Sequence, residues 1–271
     1  MGLFSWLLKF RKKEKRLKLG LALGSGGAKG FAELGALYAF EQNGIEFDVV
    51  AGTSIGSIIG AFYANGYTST DIFEMLKRVD VSEIKNLFMI KMDTFGLSKV
   101  IDKNIGTDNI EDLKKPFGVV ATEMDTGLEK VFYEGSVSKA LCASSCYPPF
   151  FKPVEIDGKN YIDGAFTNSV PADVVKNLGA DYIVGIDLSD HESKGSFLTR
   201  IFPTYKSKVE RPWEKGYENA DIILHPDLSG YTSLSFHQAS AMYEIGYKCA
   251  IEQIPTIKNN LEKRKKYKIK G

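Results

Sequence analysis

The sequence predicts an α/β protein whose mostly parallel sheet is covered by helices on both faces. Two observations carry the prediction. Short apolar runs alternate with longer stretches of helical character, which is the pattern of parallel strands joined by crossover helices. Two glycine-rich turns, GSGGAKG at 24–30 and GTSIG at 52–56, each stand between such a run and a helix. A chain of 271 residues, 44% apolar and 25% charged, can bury the core of one such domain, and no repeat or low-complexity stretch divides it.

Residues 17–24, LKLGLALG, form a short apolar run ending in glycine and read as a buried strand. After the SGGAKG loop, Phe31 to Gln42 reads as a helix that stops at Asn43-Gly44. Asp48 to Ala51 is a second strand, and the small apolar residues from Ile55 to Ala64 form a buried helix ending at Asn65-Gly66. Thr70 to Val79 is a helix capped by Thr68 or Ser69. Residues 80–115 are mixed, with helical patches. Phe117 to Thr122 and Leu128 to Tyr133 pair around Asp125-Thr126-Gly127, and Val154 to Ile162 is a hairpin turning at Asp157-Gly158. Between them, Val137 to Ser145 is a helix ending before Pro148-Pro149. Pro171 to Leu178 opens as first helical turns often do, with proline. Tyr182 to Asp187 and Asp221 to Leu224 are strands, and residues 190–218 between them are loop-rich. Ser235 to Leu261 is a long closing helix, expected to break near Pro255.

The termini differ from the body. Residues 1–18 hold seven basic residues against Glu14, a net of +6, and 262–270 hold six against Glu262, a net of +5. Since the whole chain is +1, the stretch between them is strongly acidic. Basic arms on an acidic body fit an anionic surface, whereas nucleic-acid binding would need a broad basic face. MGLFSWLLKF followed by RKKEKRLK reverses the order of a secretory signal, is too short to span a bilayer, and has Trp6 where a myristoylation pattern needs Ser or Thr. It suits an interfacial helix, with Leu3, Phe4, Trp6, Leu7, Leu8 and Phe10 in the headgroup layer and Lys9 to Lys18 on anionic lipid. Cys142, Cys146 and Cys249 are too few and too odd for a disulfide framework and fit a reducing compartment; Cys142 and Cys146, four apart with no Cys or His pair to complete a metal site, read as inert buried thiols. The chain is therefore expected in the cytoplasm, peripherally attached to a membrane.

Three features carry chemistry. In GSGGAKG the glycines free backbone N–H groups to face an anion at a helix start. A dinucleotide fingerprint would need Gly at Lys29, and a phosphate-binding P-loop would need Ser or Thr at Gly30. An oxyanion hole and a plain tight turn remain. Gly52-Thr53-Ser54-Ile55-Gly56 is a G-x-S-x-G between a strand and a helix, the context of a nucleophile elbow. There the Ile55 N–H also faces the oxyanion. A serine hydroxyl needs a base. His191, His225 and His237 all follow Asp163, so a Ser, Asp, His order is formally available, although Ser54 comes early for that fold. The third feature is Tyr161-Ile162-Asp163-Gly164-Ala165, where Asp163 is either a turn residue or a base within reach of the serine.

Taken together, in this order and spacing, GSGGAKG, GTSIG and the stretch from ASSCYPPFFKP through YIDGA to VGIDL resemble the patatin-like phospholipase family, over about Leu17 to Leu188. The resemblance implies a three-layer α/β/α patatin-like fold and a Ser–Asp dyad without histidine. Ser54 is then the nucleophile and Asp163 the base, with the oxyanion hole at Gly26 and Gly27 and Lys29 where the family has Arg or Lys. Ser25 replaces a frequent glycine of the loop and Ala165 a frequent glycine after Asp163; neither change removes a catalytic group. The domain plan is a basic amphipathic segment at 1–16, a patatin-like phospholipase domain at 17–261 and a basic tail at 262–271. The expected reaction is hydrolysis of fatty acyl esters of phospholipids or lysophospholipids through an acyl-enzyme. No metal or cofactor is called for, and 187–192 lacks the glycine of a calcium loop. A weak base with a pKa of about 3.9 when free, Asp163 is expected to be raised by burial. Two other readings stay open: a soluble esterase, thioesterase or acyltransferase, and a non-catalytic membrane-binding module. Head group, acyl position and oligomeric state are not legible.

Overall fold

A computed structural model describes residues 16–78, 94–189 and 208–270. Among the described residues eight strands form one sheet: β1 (Leu19–Leu23), β2 (Val49–Thr53), β3 (Phe117–Glu123), β4 (Glu129–Phe132), β5 (Val154–Ile156), β6 (Lys159–Asp163), β7 (Tyr182–Ile186) and β8 (Ile222–Leu224). Their order is β5-β6-β3-β2-β1-β7-β8, with β4 paired to β3. The run from β3 through β2, β1 and β7 to β8 is parallel, while β4, β5 and β6 are antiparallel additions.

The helices are α1 (Phe31–Gln42), α2 (Ile55–Ala64), α3 (Ser69–Lys77), α4 (Phe95–Ile105), α5 (Val137–Ser144), α6 (Ala172–Asn177), α7 (Glu214–Asn219) and α8 (Ala239–Lys270). Side-chain alternation along the strands splits the core into two layers. Leu19, Leu21 and Leu23 of β1 and Val50 of β2 face α1, α2 and α8, whereas Ala22, Val49 and Ala51 face Val174 and Val175 of α6. The α/β/α expectation therefore holds. Thr68 caps α3 through a reciprocal pair with Asp71, which settles the choice between Thr68 and Ser69. Asp157 and Gly158 both have positive φ (51° and 76°), as a tight two-residue hairpin turn requires.

The closing helix departs from expectation. Pro255 lies inside α8 without ending it, and the helix runs on through the basic stretch to Lys270. A proline removes one i→i−4 bond, but packing of an apolar face repays that local loss. Met242, Ala250, Ile254 and Ile257 are buried on either side of it. The mixed region contributes α4, and the loop-rich one contributes α7. The expected interfacial helix at the N-terminus lies outside the described residues, apart from Arg16, Leu17 and Lys18.

Helices α1 and α8 approach so closely that only glycine fits at their crossing. A Cβ on Gly35 would stand 1.9 Å from the Tyr243 carbonyl oxygen, and one on Gly246 would stand 1.8 Å from that of Ala32. We predict that Gly246→Val separates the two helices and costs at least about 3 kcal/mol by overpacking, measured as a lowered midpoint in urea denaturation.

Candidate functional site

The site is assembled at one register on β3. Residues 119–122 of β3 pair with β4, so β2 (opposite 117–120) and β6 (opposite 121–123) must share the other edge. β2 ends with Thr53 opposite Val120, and β6 ends with Asp163 opposite Ala121. The two strands meet nearly end to end, which brings Ser54 and Asp163 together across 109 residues of chain. The Ser54 Oγ–H donates to Asp163 Oδ2 at 2.7 Å.

Ser54 joins β2 to α2 with φ 55° and ψ −125°, a conformation costly for any residue but glycine. Several bonds hold it there. Its N–H donates to Ser144 Oγ (2.8 Å), and its carbonyl accepts from Ser57 N–H (2.9 Å) and Ser57 Oγ–H (2.6 Å). The flanking glycines are required by space: a Cβ on Gly52 would meet Gly56 O at 2.3 Å, and one on Gly56 would meet Leu23 O at 2.5 Å. Ser144 was not singled out in the sequence. It lies in a run of small residues at the end of α5, where nothing local marks it as the group that anchors the elbow.

Asp163 is 2% exposed. Burial raises its pKa to about 7, opposed by hydrogen bonds from Ala165 N–H (2.9 Å, to Oδ1) and from Ser54. Thr122 Oγ1–H fixes its backbone by donating to Asp163 O (3.0 Å). At neutral pH this carboxylate is poised to accept a proton.

The GSGGAKG loop leaves the end of β1 beside Ser54. Ser25 N–H donates to Ser169 O (3.0 Å), Ala28 N–H to Ser233 O (2.9 Å) and Lys29 N–H to Gly26 O (3.2 Å). Among the described residues no acceptor takes the N–H of Gly26 or Gly27, and both glycines line the same cavity as Ser54. Ile55 opens α2, so its N–H has no acceptor within the helix. Unengaged donors beside a nucleophile-like hydroxyl are what an oxyanion hole needs. The Lys29 side chain is not part of the cavity wall, so its role is not direct contact there. Below the loop, buried Glu33 accepts from Gly24 N–H (2.6 Å), and burial, with Asp187 nearby, holds its pKa well above the usual carboxylate range. Glu33 was also missed, because an acid inside an apolar helical run gives no sign of what it bonds.

The cavity has a volume of about 460 Å³, in the range of ligand sites. Its wall beyond Ser54 and Asp163 is apolar, formed by Phe31, Ile58, Phe62, Leu76, Leu97 and Ile101 among others. Neither His225 nor His237 lines it, and His191 lies outside the described residues. His225 instead sits 4.0 Å from Asp187. Cys142 and Cys146 are buried, and burial pushes the Cys146 thiol upward, as expected of inert thiols. Among the described residues no group of three or more metal-ligating side chains occurs, and no helix is long and apolar enough to cross a membrane.

The sequence model of the patatin-like phospholipases matches residues 21–176, more than half the chain, and includes the glycine-rich loop, Ser54 and Asp163. The chain belongs to the patatin-like phospholipase family. Among relatives of this family member, neuropathy target esterase sws of Drosophila melanogaster is 30% identical over 64% of the chain. Patatin-like phospholipase domain-containing protein 6 of Homo sapiens is 27% identical over 89% of it. Lysophospholipase nte1 of Aspergillus terreus is 25% identical over 92%. The chain spans only 13%, 18% and 19% of the lengths of these proteins. In structure it resembles VipD from Legionella pneumophila with a TM-score of 0.54 at 14% identity, covering 89% of this chain and 67% of that one. That likeness supports the α/β fold.

The buried carboxylate has a consequence for stability. Because the folded pKa of Asp163 exceeds the unfolded one, the unfolded chain ionises first as pH rises. The folded state loses stability from about pH 4 to about pH 7, by roughly 4 kcal/mol in all. In Asp163→Asn the amide oxygen still accepts from Ala165 and the NH₂ donates to Ser54 Oγ. We predict that this variant is more stable than the wild type at pH 8 and that the gap closes toward pH 4, measured by urea denaturation across that range.

Proposed function

We propose that this chain is a serine acyl hydrolase acting on fatty acyl esters of phospholipids or lysophospholipids, with Ser54 as nucleophile and Asp163 as base. The observation that carries this reading is the 2.7 Å hydrogen bond from Ser54 Oγ–H to a buried carboxylate on the wall of an apolar cavity. The names of the relatives, an esterase and a lysophospholipase, support the same class of bond.

In the first step Asp163 takes the Ser54 proton while Oγ attacks the ester carbonyl carbon. The N–H groups of Gly26, Gly27 and Ile55 bind the resulting oxyanion, a type of contact worth about 2.7–4 kcal/mol per donor. As the tetrahedral intermediate collapses, Asp163 returns its proton to the departing alcohol, leaving the acyl group on Ser54. Water then gives its proton to Asp163, attacks the acyl carbon, and releases the fatty acid as Ser54 regains its hydrogen. The apolar wall takes the acyl chain. Residues 1–16 attach the protein to anionic lipid through their basic and apolar side chains.

The test is fatty-acid release from phospholipid and lysophospholipid without added metal. Ser54→Ala and Asp163→Asn are expected to lose at least about 10³-fold in kcat, while the triple variant His191→Ala, His225→Ala, His237→Ala keeps its activity. A folded but inactive triple variant would replace the dyad with a histidine-dependent triad. Only the ionised form of Asp163 can act as base, so kcat/KM for a soluble ester is expected to rise with pH and level off above about 7.

A further inference from the structure

The cavity beside Ser54 lies between two helices that start against a third and are fastened at their far ends. α2 begins at the elbow, which Ser144 of α5 anchors. α4 begins beside the same helix, where the Thr94 carbonyl accepts from Cys142 Sγ–H at 3.7 Å. Just past α2, Tyr67 Oη–H donates to the carbonyl of Asn104 near the end of α4 (2.5 Å), and Asn65 Nδ2–H donates to that of Ile105. The two helices therefore run in the same direction. Ile55, Ile58 and Phe62 of α2 line the cavity, as do Leu97, Val100 and Ile101 of α4. These spacings, i, i+3, i+7 and i, i+3, i+4, put one face of each helix on it.

Exposure tells the two ends of the cavity apart. Leu234 is 44% exposed and lines it next to Ser233, whose carbonyl accepts from Ala28 of the glycine-rich loop. Gly96, at the start of α4, is also exposed. Phe62 and Ile101 line the same cavity yet are each 1% exposed. Behind Phe62 stands Tyr67, with ring centroids 5.4 Å apart and planes at 90°, and Tyr67 is not part of the cavity wall. The cavity thus opens at the Ser54 end and has Phe62 as its floor.

Eight residues separate Phe62 from Ser54, about 12 Å along the helix axis. The Phe62 ring leans back toward the start of α2, which shortens the free path to about 10 Å. An extended alkyl chain advances about 1.25 Å per bond, given a C–C length near 1.5 Å and an angle near 111°.

We propose that Phe62 limits the length of the acyl chain, so that acyl groups of about eight to ten carbons fill the cavity from Ser54 to its ring. This deepens the acyl-hydrolase reading and rests on it. The wall between Ser54 and Phe62 is apolar, so the alkyl chain is the part of the substrate that gains by entering, while a charged head group would lose its hydration there. Each methylene buried on the way is worth about fourfold in kcat/KM. A carbon that cannot pass the ring is worth nothing.

The experiment uses the full chain and 4-nitrophenyl esters from butanoate to hexadecanoate, in mixed micelles of one nonionic detergent. Wild-type kcat/KM is expected to peak at octanoate or decanoate and to fall at least about tenfold by hexadecanoate. Phe62→Ala opens the floor and is expected to raise the hexadecanoate-to-octanoate ratio at least about tenfold. Ile58→Phe, one turn from Ser54, is expected to lower the octanoate-to-butanoate ratio by a similar factor. Both esters of a ratio are read on one sample, so any loss of folded protein cancels. A wild-type peak at hexadecanoate, or a ratio moved by Leu234→Ala and not by Phe62→Ala, overturns the inference. If no ester is cleaved, the hydrolase reading fails by itself, and the length limit is read from calorimetric binding of the free acids. Affinity is then expected to rise as far as decanoate and stop; a continued rise to hexadecanoate overturns the limit.

Discussion

Much of this molecule depends on how three strands share one edge. β3 has room for β2 along its first half and β6 along its second, and each ends where the other begins. A slip of two residues in either pairing would move Ser54 and Asp163 apart by roughly 7 Å, out of hydrogen-bond reach. A slip of one would turn the paired side chains to the opposite faces of the sheet. Register is protected because both faces of the central strands are buried, so such shifts would misfit Val50, Val119 and Val120 to the layers they pack in. The pairing that makes the site is thus held by the core.

The same burial that fixes the site makes it energetically unfavourable. Ser54 sits at a positive φ, Asp163 is an acid removed from water, and Glu33 is a second buried acid under the neighbouring loop. Each is tolerated because hydrogen bonds satisfy it in part: the Ser144 and Ser57 hydroxyls around the elbow, the Ala165 N–H at Asp163 and the Gly24 N–H at Glu33. Glu33 keeps a buried Oε2 without a hydrogen-bond partner among the described residues, and burial holds its pKa well above the usual carboxylate range.

Much of the fold was legible because the strands are apolar runs stopped by glycine, a signal that needs no tertiary context. The elbow was legible for a related reason: Gly52 and Gly56 are there because backbone passes within a side chain's width. What could not be read depends on contacts distant in sequence. Whether Asp163 made a turn or met a serine was set by β3, which neither motif contains. Ser144 anchors the elbow across 90 residues, and the continuity of α8 through Pro255 follows from its packing rather than its propensity. The ion pairs of Arg16 with Asp48 and of Arg264 with Asp221 were invisible for the same reason, since each joins residues far apart in the chain.

Helix α8 joins parts of the molecule that have no direct contact. Just before its first turn, Ser233 accepts from the glycine-rich loop at Ala28 and Phe236 walls the cavity; its last turns reach the far edge of the sheet through Arg264. Between them the helix is seated on α1 by the absence of side chains at Gly35 and Gly246. It therefore behaves as a strut with a single tight bearing. Local undocking at that bearing would loosen the loop beside Ser54 and the Arg264 contacts in one event, while the parallel strands stayed paired. Such a protein would lose the geometry around Ser54 well before it lost its fold.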